Sequence, residues 1–200
     1  MAYKQDSPGM STILIDLDDV LTWFVPAWLK WLNEKYGCNV KYEEVVDWDF
    51  RYLYPNLTSH QLHEPLGLPE FWKSVEVRED AKFYVKQLYD MGFNIYVCTA
   101  TYYKDIAIKY ETIIKKHFPY IDWNHVIVAK NKQMIKADYL IDDHVPNLID
   151  GEYQKILLVV PRNDNFDPAE TGIIKCGNWS DIYDTIQACE SRQQPMLLPF

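Results

Sequence analysis

Short apolar runs recur along the chain at Thr12–Ile15 and at residues 94–98, 125–128, 139–141, 156–160 and 173–175. Each has strand length and is bounded by polar or turn residues. Helical spacing separates several of them. Residues 81–91 place Phe83, Val85, Leu88 and Met91 on one predicted face, with Gly92 as the stop. Residues 104–117 predict a second helix ended by Pro119, and residues 180–189 a last one with Ser180 or Asp181 as its cap. Strands alternating with helices predict an α/β fold with a mostly parallel, Rossmann-like sheet flanked by helices.

One interval breaks the alternation. The first run ends at Asp16 and the second begins at Asn94, far more chain than a simple crossover needs. Residues 22–77 are therefore expected to form a small helical cap inserted after the first strand. Residues 11–21 and 78–190 would form the core, and residues 1–10 and 191–200 would be flexible ends. The expected cap holds a helix at 26–37 (PAWLKWLNEKYG), with Pro near its start and Gly at its stop. Two further aromatic segments follow, DWDFRYLYPN at 47–56 and LPEFWKSV at 68–75.

Composition narrows the function. The net charge of -9 repels a phosphate backbone, which argues against a nucleic-acid polymer as partner. No apolar run approaches 18 residues, so no membrane span is expected. The four cysteines (Cys38, Cys98, Cys176 and Cys189) show no metal-type spacing, and the expected location is the reducing cytoplasm. Aromatic residues make up 15% of the chain, a content suited to stacking a flat ligand.

The chemistry is concentrated where apolar runs end. ILIDLDDVL at 13–21 passes from three aliphatic residues to Asp16, Asp18 and Asp19. Carboxylates crowded at a buried strand end repel one another and resist ionisation. A hard divalent cation such as Mg2+ relieves both penalties through oxygen ligands. Thr99 ends the second run in VCTAT, Lys132 follows the third, and Asp142 and Asp143 end the fourth in YLIDD. Open α/β sheets bind ligands at these carboxyl ends. One carboxylate could attack phosphorus, and a second could protonate the leaving oxygen and later activate water. A hydroxyl and an ammonium could hold phosphoryl oxygens.

This ordered set resembles the haloacid-dehalogenase-like (HAD) phosphohydrolase superfamily. IDLDDVLTWF, VCTA and NKQMIKADYLIDD, with Lys132 ten residues before Asp142, most resemble the 5'(3')-deoxyribonucleotidase family. The resemblance implies Asp16 as nucleophile and Asp18 as general acid and base. It implies Mg2+ held by Asp16, the backbone carbonyl of Asp18, and Asp142, with Asp143 supporting the site. Thr99, Ala100 and Lys132 are the implied phosphate-binding positions, although Ala100 lacks a hydroxyl. Cap aromatics Phe24, Trp48, Phe50, Phe71 and Trp72 become candidates to frame a nucleobase, and Lys109 a candidate phosphate or sugar contact. Asp19 stands where many superfamily members carry Gly. A homodimer is compatible with the resemblance.

The expected activity is Mg2+-dependent hydrolysis of a (deoxy)nucleoside monophosphate to nucleoside and phosphate through an aspartyl-phosphate. A phosphatase for another small phosphate ester and a catalytically weak nucleotide-binding module are the alternatives. A dehalogenase would not need the acid at Asp18, and a nucleotide kinase would need a GxxxxGK[ST] loop that the sequence lacks. Trp28 and Trp31 read as packing residues of the cap helix, and His144 as a surface or hydrogen-bonded group.

Overall fold

The computed structural model describes residues 6–193. Within them, a six-stranded sheet comprises β1 (Thr12–Ile15), β2 (Asn94–Thr99), β3 (Val126–Val128), β4 (Tyr139–Asp142), β5 (Gln154–Leu158) and β6 (Ile173–Cys176). Their spatial order is β3-β2-β1-β4-β5-β6, and every pair is parallel. A parallel sheet is buried on both faces, which explains the unbroken apolar runs. Ile13, Ile15, Ile95, Val97 and Ile141 face the larger core. Leu14, Cys98, Leu140 and Leu157 face the smaller one.

The helices follow from local signals, with corrections. α1 (Phe24–Tyr36) ends at Gly37, whose φ of 67° provides the left-handed stop. Short helices α2 (Ser59–His63) and α3 (Pro69–Ser74) come next, then α4 (Glu79–Asp90). The inward stripe of α4 is Ala81, Val85 and Leu88. Phe83 and Met91, expected on that stripe, are exposed. Ala81, Val85 and Leu88 are spaced by four and three residues, whereas Phe83 lies two positions from both Ala81 and Val85 and so points away.

The helix expected at 104–117 is broken. α5 (Ile106–Lys109) passes through a π-helical turn, Tyr110–Ile114, into α6 (Lys115–His117). α7 (Val145–Leu148) follows β4. α8 (Trp179–Gln193) starts before the expected cap residues. Its cap is Asn178, whose Oδ1 accepts from the Asp181 amide at 3.0 Å.

The chain departs from the sheet at Thr22 and returns at Val77. An antiparallel bridge joins these two residues. The Trp23 amide donates to the Glu76 carbonyl at 2.8 Å, and the Arg78 amide to the Leu21 carbonyl at 2.9 Å. α1, α2, α3 and intervening 3-10 turns lie between these points.

Residues 6–10, expected to be loose, are tied to the sheet. The Ser7 amide donates to Asn94 Oδ1 at 2.8 Å, and the Tyr96 hydroxyl to Asp6 Oδ2 at 2.6 Å. Residues 191–193 belong to α8. The rest of the expected flexible ends, 1–5 and 194–200, lies outside the described residues. Among those described, no helix is long and apolar enough to cross a membrane.

Trp179 links α8 to the loop carrying the first acidic motif. It is fully buried, and its indole N–H donates to the Val20 carbonyl at 3.0 Å. Trp179→Phe removes the donor and strands a buried carbonyl, which costs about 1–3 kcal/mol. Urea denaturation is expected to show a lower midpoint; an unchanged midpoint would show that the bond does not stabilise the fold.

Candidate active site

Parallel pairing brings the motifs together. Ile15 is in register with Val97 and Ile141, so β1, β2 and β4 end side by side. The Asp16 amide donates to the Ile141 carbonyl at 2.9 Å, which places Asp16 beside Asp142. Thr99 is the last residue of β2. Lys132 enters from the 3-10 turn Lys132–Met134.

Lys132 is the electrostatic centre of this group. Its fully buried ammonium pairs with Asp16 Oδ1 and lies 2.6 Å from Asp142 Oδ2. Burial would discharge it, but the Asp16 and Asp142 carboxylates hold its pKa above the ordinary lysine value. Asp142 also accepts from the His144 amide at 2.8 Å and from Asn147 Nδ2 at 3.0 Å. Burial pushes Asp16 up to about 7; Lys132 opposes the shift, while Asp142 and Asp18 add to it. Burial likewise raises Asp19 and Asp143 against the pull of Arg162.

Asp19 adopts φ 61°, a left-handed conformation that glycine enters without strain. Asp19 is held there by use of both oxygens. Oδ1 accepts from the Val25 amide at 2.8 Å, in the first turn of α1, and Oδ2 lies 2.6 Å from Arg162. Arg162 also pairs with Asp143.

Asp18 pairs through Oδ2 with the buried Lys109 ammonium at 2.5 Å. Lys109, expected near a phosphate or sugar, thus contacts the second motif carboxylate in this structure. Asp18 Oδ1 and Thr99 Oγ1 are buried without a protein hydrogen-bond partner. Both residues line a cavity of about 200 Å³ together with Asp16, Ala100, Asp142 and Asp143. Asp16, Asp142 and Asp143 can each offer an oxygen within 4.8 Å of the others. An all-oxygen donor set of this kind, next to orphaned buried oxygens, fits a hard divalent cation and a phosphate.

The expected aromatic group separates in space. Phe24, Trp48 and Phe50 line the carboxylate cavity. Trp72 lines an adjoining cleft of about 540 Å³, which shares Asp18, Phe24, Trp28 and Ala100 with that cavity. Phe71 lines neither: it is buried, and packs edge-on against Phe24 with centroids 6.0 Å apart. Trp28, read from sequence as packing alone, lines both spaces. Its indole N–H donates to the Leu62 carbonyl at 2.7 Å, which fixes the ring.

Sequence reasoning missed Arg162 and Asn147, which belong to no acidic motif, and favoured a surface or hydrogen-bonded group for His144, which lines the carboxylate cavity. The signal for His144 and Asn147 was proximity to YLIDD; Arg162 carried none.

A family model described as 5' nucleotidase, deoxy (pyrimidine), cytosolic type C protein matches residues 10–194. The 5'(3')-deoxyribonucleotidase of Clostridium acetobutylicum is 29% identical over 180 residues, covering 90% of this chain and 95% of that protein. The 5'(3')-deoxyribonucleotidase of Bacillus subtilis is 30% identical over 170 residues, covering 85% and 95%. In fold, a haloacid dehalogenase-like protein from Agrobacterium tumefaciens superposes with a TM-score of 0.61 at 14% identity, covering 91% of this chain and all of that one. A HAD hydrolase from Bacillus subtilis bound to magnesium gives 0.53 at 12% identity, covering 88% and 98%. The sheet therefore has a HAD-like fold, and the chain belongs to the family of 5' nucleotidase, deoxy (pyrimidine), cytosolic type C proteins.

Proposed function

We propose that the protein is a Mg2+-dependent phosphomonoesterase that hydrolyses (deoxy)nucleoside monophosphates through an aspartyl-phosphate. The observation that carries this reading is the convergence of Asp16, Asp18, Thr99 and Asp142 on one small cavity, with Lys132 bound to two of the carboxylates. The relatives named 5'(3')-deoxyribonucleotidase support the substrate class.

Asp16 attacks phosphorus with one carboxylate oxygen, and the bond from phosphorus to the nucleoside oxygen breaks. Asp18 gives its proton to that leaving oxygen. Asp18 then takes a proton from water as the water attacks phosphorus, and the bond to Asp16 breaks. Lys132 orients Asp16 and contributes positive charge beside the phosphoryl oxygens. Thr99 Oγ1, without a protein partner, is free to donate to one of them. Asp16, Asp142 and the backbone carbonyl of Asp18 would hold Mg2+, with Asp143 alongside. The ion, when bound, supplies charge neutralisation for the phosphoryl group.

The adjoining cleft suits a nucleoside. It is of ligand-pocket size, and Phe24 and Trp72 stack face to face at its wall, with centroids 5.5 Å apart and an interplanar angle of 11°. We place the 22–77 segment as a cap whose aromatics shelter the leaving group, and the cytoplasm as the site of action.

Phosphate release from a panel of nucleoside monophosphates, with Mg2+ and with a chelator, tests the reading. Turnover that requires Mg2+ is expected; none with any nucleotide would refute it. Asp16→Asn keeps the side-chain shape and is expected to lose activity by about 10⁴-fold or more with unchanged circular dichroism. Retained turnover would exclude Asp16 as nucleophile.

Protonation of Asp16 gives a second test. In the metal-free folded protein this group keeps its proton up to about pH 7, against 3.8 as its ordinary value. The unfolded chain therefore loses the proton first, and the group lowers stability as pH rises between those values. Mg2+ favours the ionised form and competes with the proton. The Mg2+-induced rise in Tm is expected to be larger at about pH 8 than at about pH 5.5; equal shifts would contradict the metal assignment.

A further inference from the structure

Arg162 lies in the 3-10 turn Pro161–Asn163 after β5, outside all the acidic motifs. Its side chain is only 2% exposed. Nη2 lies 2.6 Å from Asp19 Oδ2 and also pairs with Asp143 Oδ2. The neighbouring Asn163 fixes the same turn: its Nδ2 donates to the Asp143 carbonyl at 2.7 Å and to the Leu158 carbonyl at 2.9 Å. One edge of the guanidinium is thus committed to the loops that follow β1 and β4.

Its face is committed elsewhere. The guanidinium carbon lies 4.2 Å from the centroid of the Trp48 ring. The His144 imidazole meets the same indole edge-on, with centroids 4.3 Å apart. Trp48 remains 47% exposed, so the apolar core does not hold it. Two side chains that follow strand ends hold it instead. The Tyr42–Glu44 turn of the inserted segment also packs on Pro161–Asn163. Arg162 Nε and Nη1 are buried without a protein partner, so the position of this guanidinium rests on Asp19, Asp143 and the Trp48 ring.

We propose that Arg162 is a positioning residue that couples the docking of Trp48 beside the cavity to the orientation of Asp143 within the carboxylate cluster. A planar cation can bond carboxylates along its edge while an aromatic ring covers its face. When Trp48 is docked, the guanidinium is confined against Asp19 and Asp143. When Trp48 leaves, that confinement is lost and Asp143 gains freedom. Closure of the inserted segment and order at the cation site are then one event. This inference rests on the phosphohydrolase reading above.

The test uses Arg162→Ala, Arg162→Lys, Trp48→Ala and the Arg162→Ala/Trp48→Ala double variant. Mg2+ affinity is measured by calorimetry without substrate, and KM and kcat with a deoxynucleoside monophosphate. Both Arg162 variants are expected to bind Mg2+ about 10–100-fold more weakly, the range for removing a group that orients a metal ligand. Trp48→Ala is expected to raise KM about tenfold alone, but less than about twofold when added to Arg162→Ala. Additive effects on KM, or unchanged Mg2+ affinity in folded Arg162→Lys, would overturn the proposal. Arg162→Lys keeps the charge and decides the question if Arg162→Ala does not fold. If the wild-type protein turns over nucleotide and the variants match it, only this inference falls. If the wild type turns over nothing, the phosphohydrolase reading falls, and calorimetry still decides whether Arg162 orders the cation site.

Discussion

The arrangement depends on too many carboxylates, most of them buried, sharing the end of one sheet. Asp16, Asp18, Asp19, Asp142 and Asp143 lie within a few residues of two adjacent strand ends, and three cations pair with them directly: Lys109, Lys132 and Arg162. Burial raises Asp16, Asp19 and Asp143 above the ordinary carboxylate value, and neighbouring carboxylates add to the shift at Asp16 and Asp143. Burying such a group is unfavourable unless a cation or proton joins it. A divalent cation bound beside the cavity would relieve this imbalance, which is what the proposed phosphohydrolase reading calls for.

The same carboxylates also organise the structure around them. Asp19 accepts from the first turn of α1 while pairing with Arg162, so one side chain joins the acidic loop, the start of the inserted segment and the turn after β5. Asp142 orders the start of the next loop through the His144 amide and Asn147. The cavity and adjoining cleft lie between these groups and the aromatics Phe24 and Trp28. Placement of the carboxylate cluster and attachment of the inserted segment therefore use shared bonds.

Much of this was legible in the sequence because a buried parallel sheet has a strong local signature. Its strands read as apolar runs, and the residues that end them fall at one edge of the sheet, so Asp16, Thr99 and Asp142 could be placed together before any coordinates. Lys132 was legible through its spacing to Asp142. What escaped depends on long-range packing. Arg162 is an isolated arginine in sequence, and only pairing of β5 beside β4 brings it to Asp143. Trp28 packs in the core as read, yet it also lines the cavity, whereas Phe71 does not; helical aromatics look alike until neighbouring elements decide which wall they form. The exposed Phe83 shows the same limit: hydrophobicity suggested an inward face, while the spacing of Ala81, Val85 and Leu88 set it.

The stereochemical course at phosphorus examines the covalent role of Asp16 most directly. Turnover of a nucleotide made chiral with oxygen isotopes and sulfur reports how many in-line displacements occur. Two displacements, first by Asp16 and then by water, give net retention of configuration, which is the result expected here. Net inversion would mean that water attacks the substrate itself, and Asp16 would then be a ligand or an orienting group and not the nucleophile.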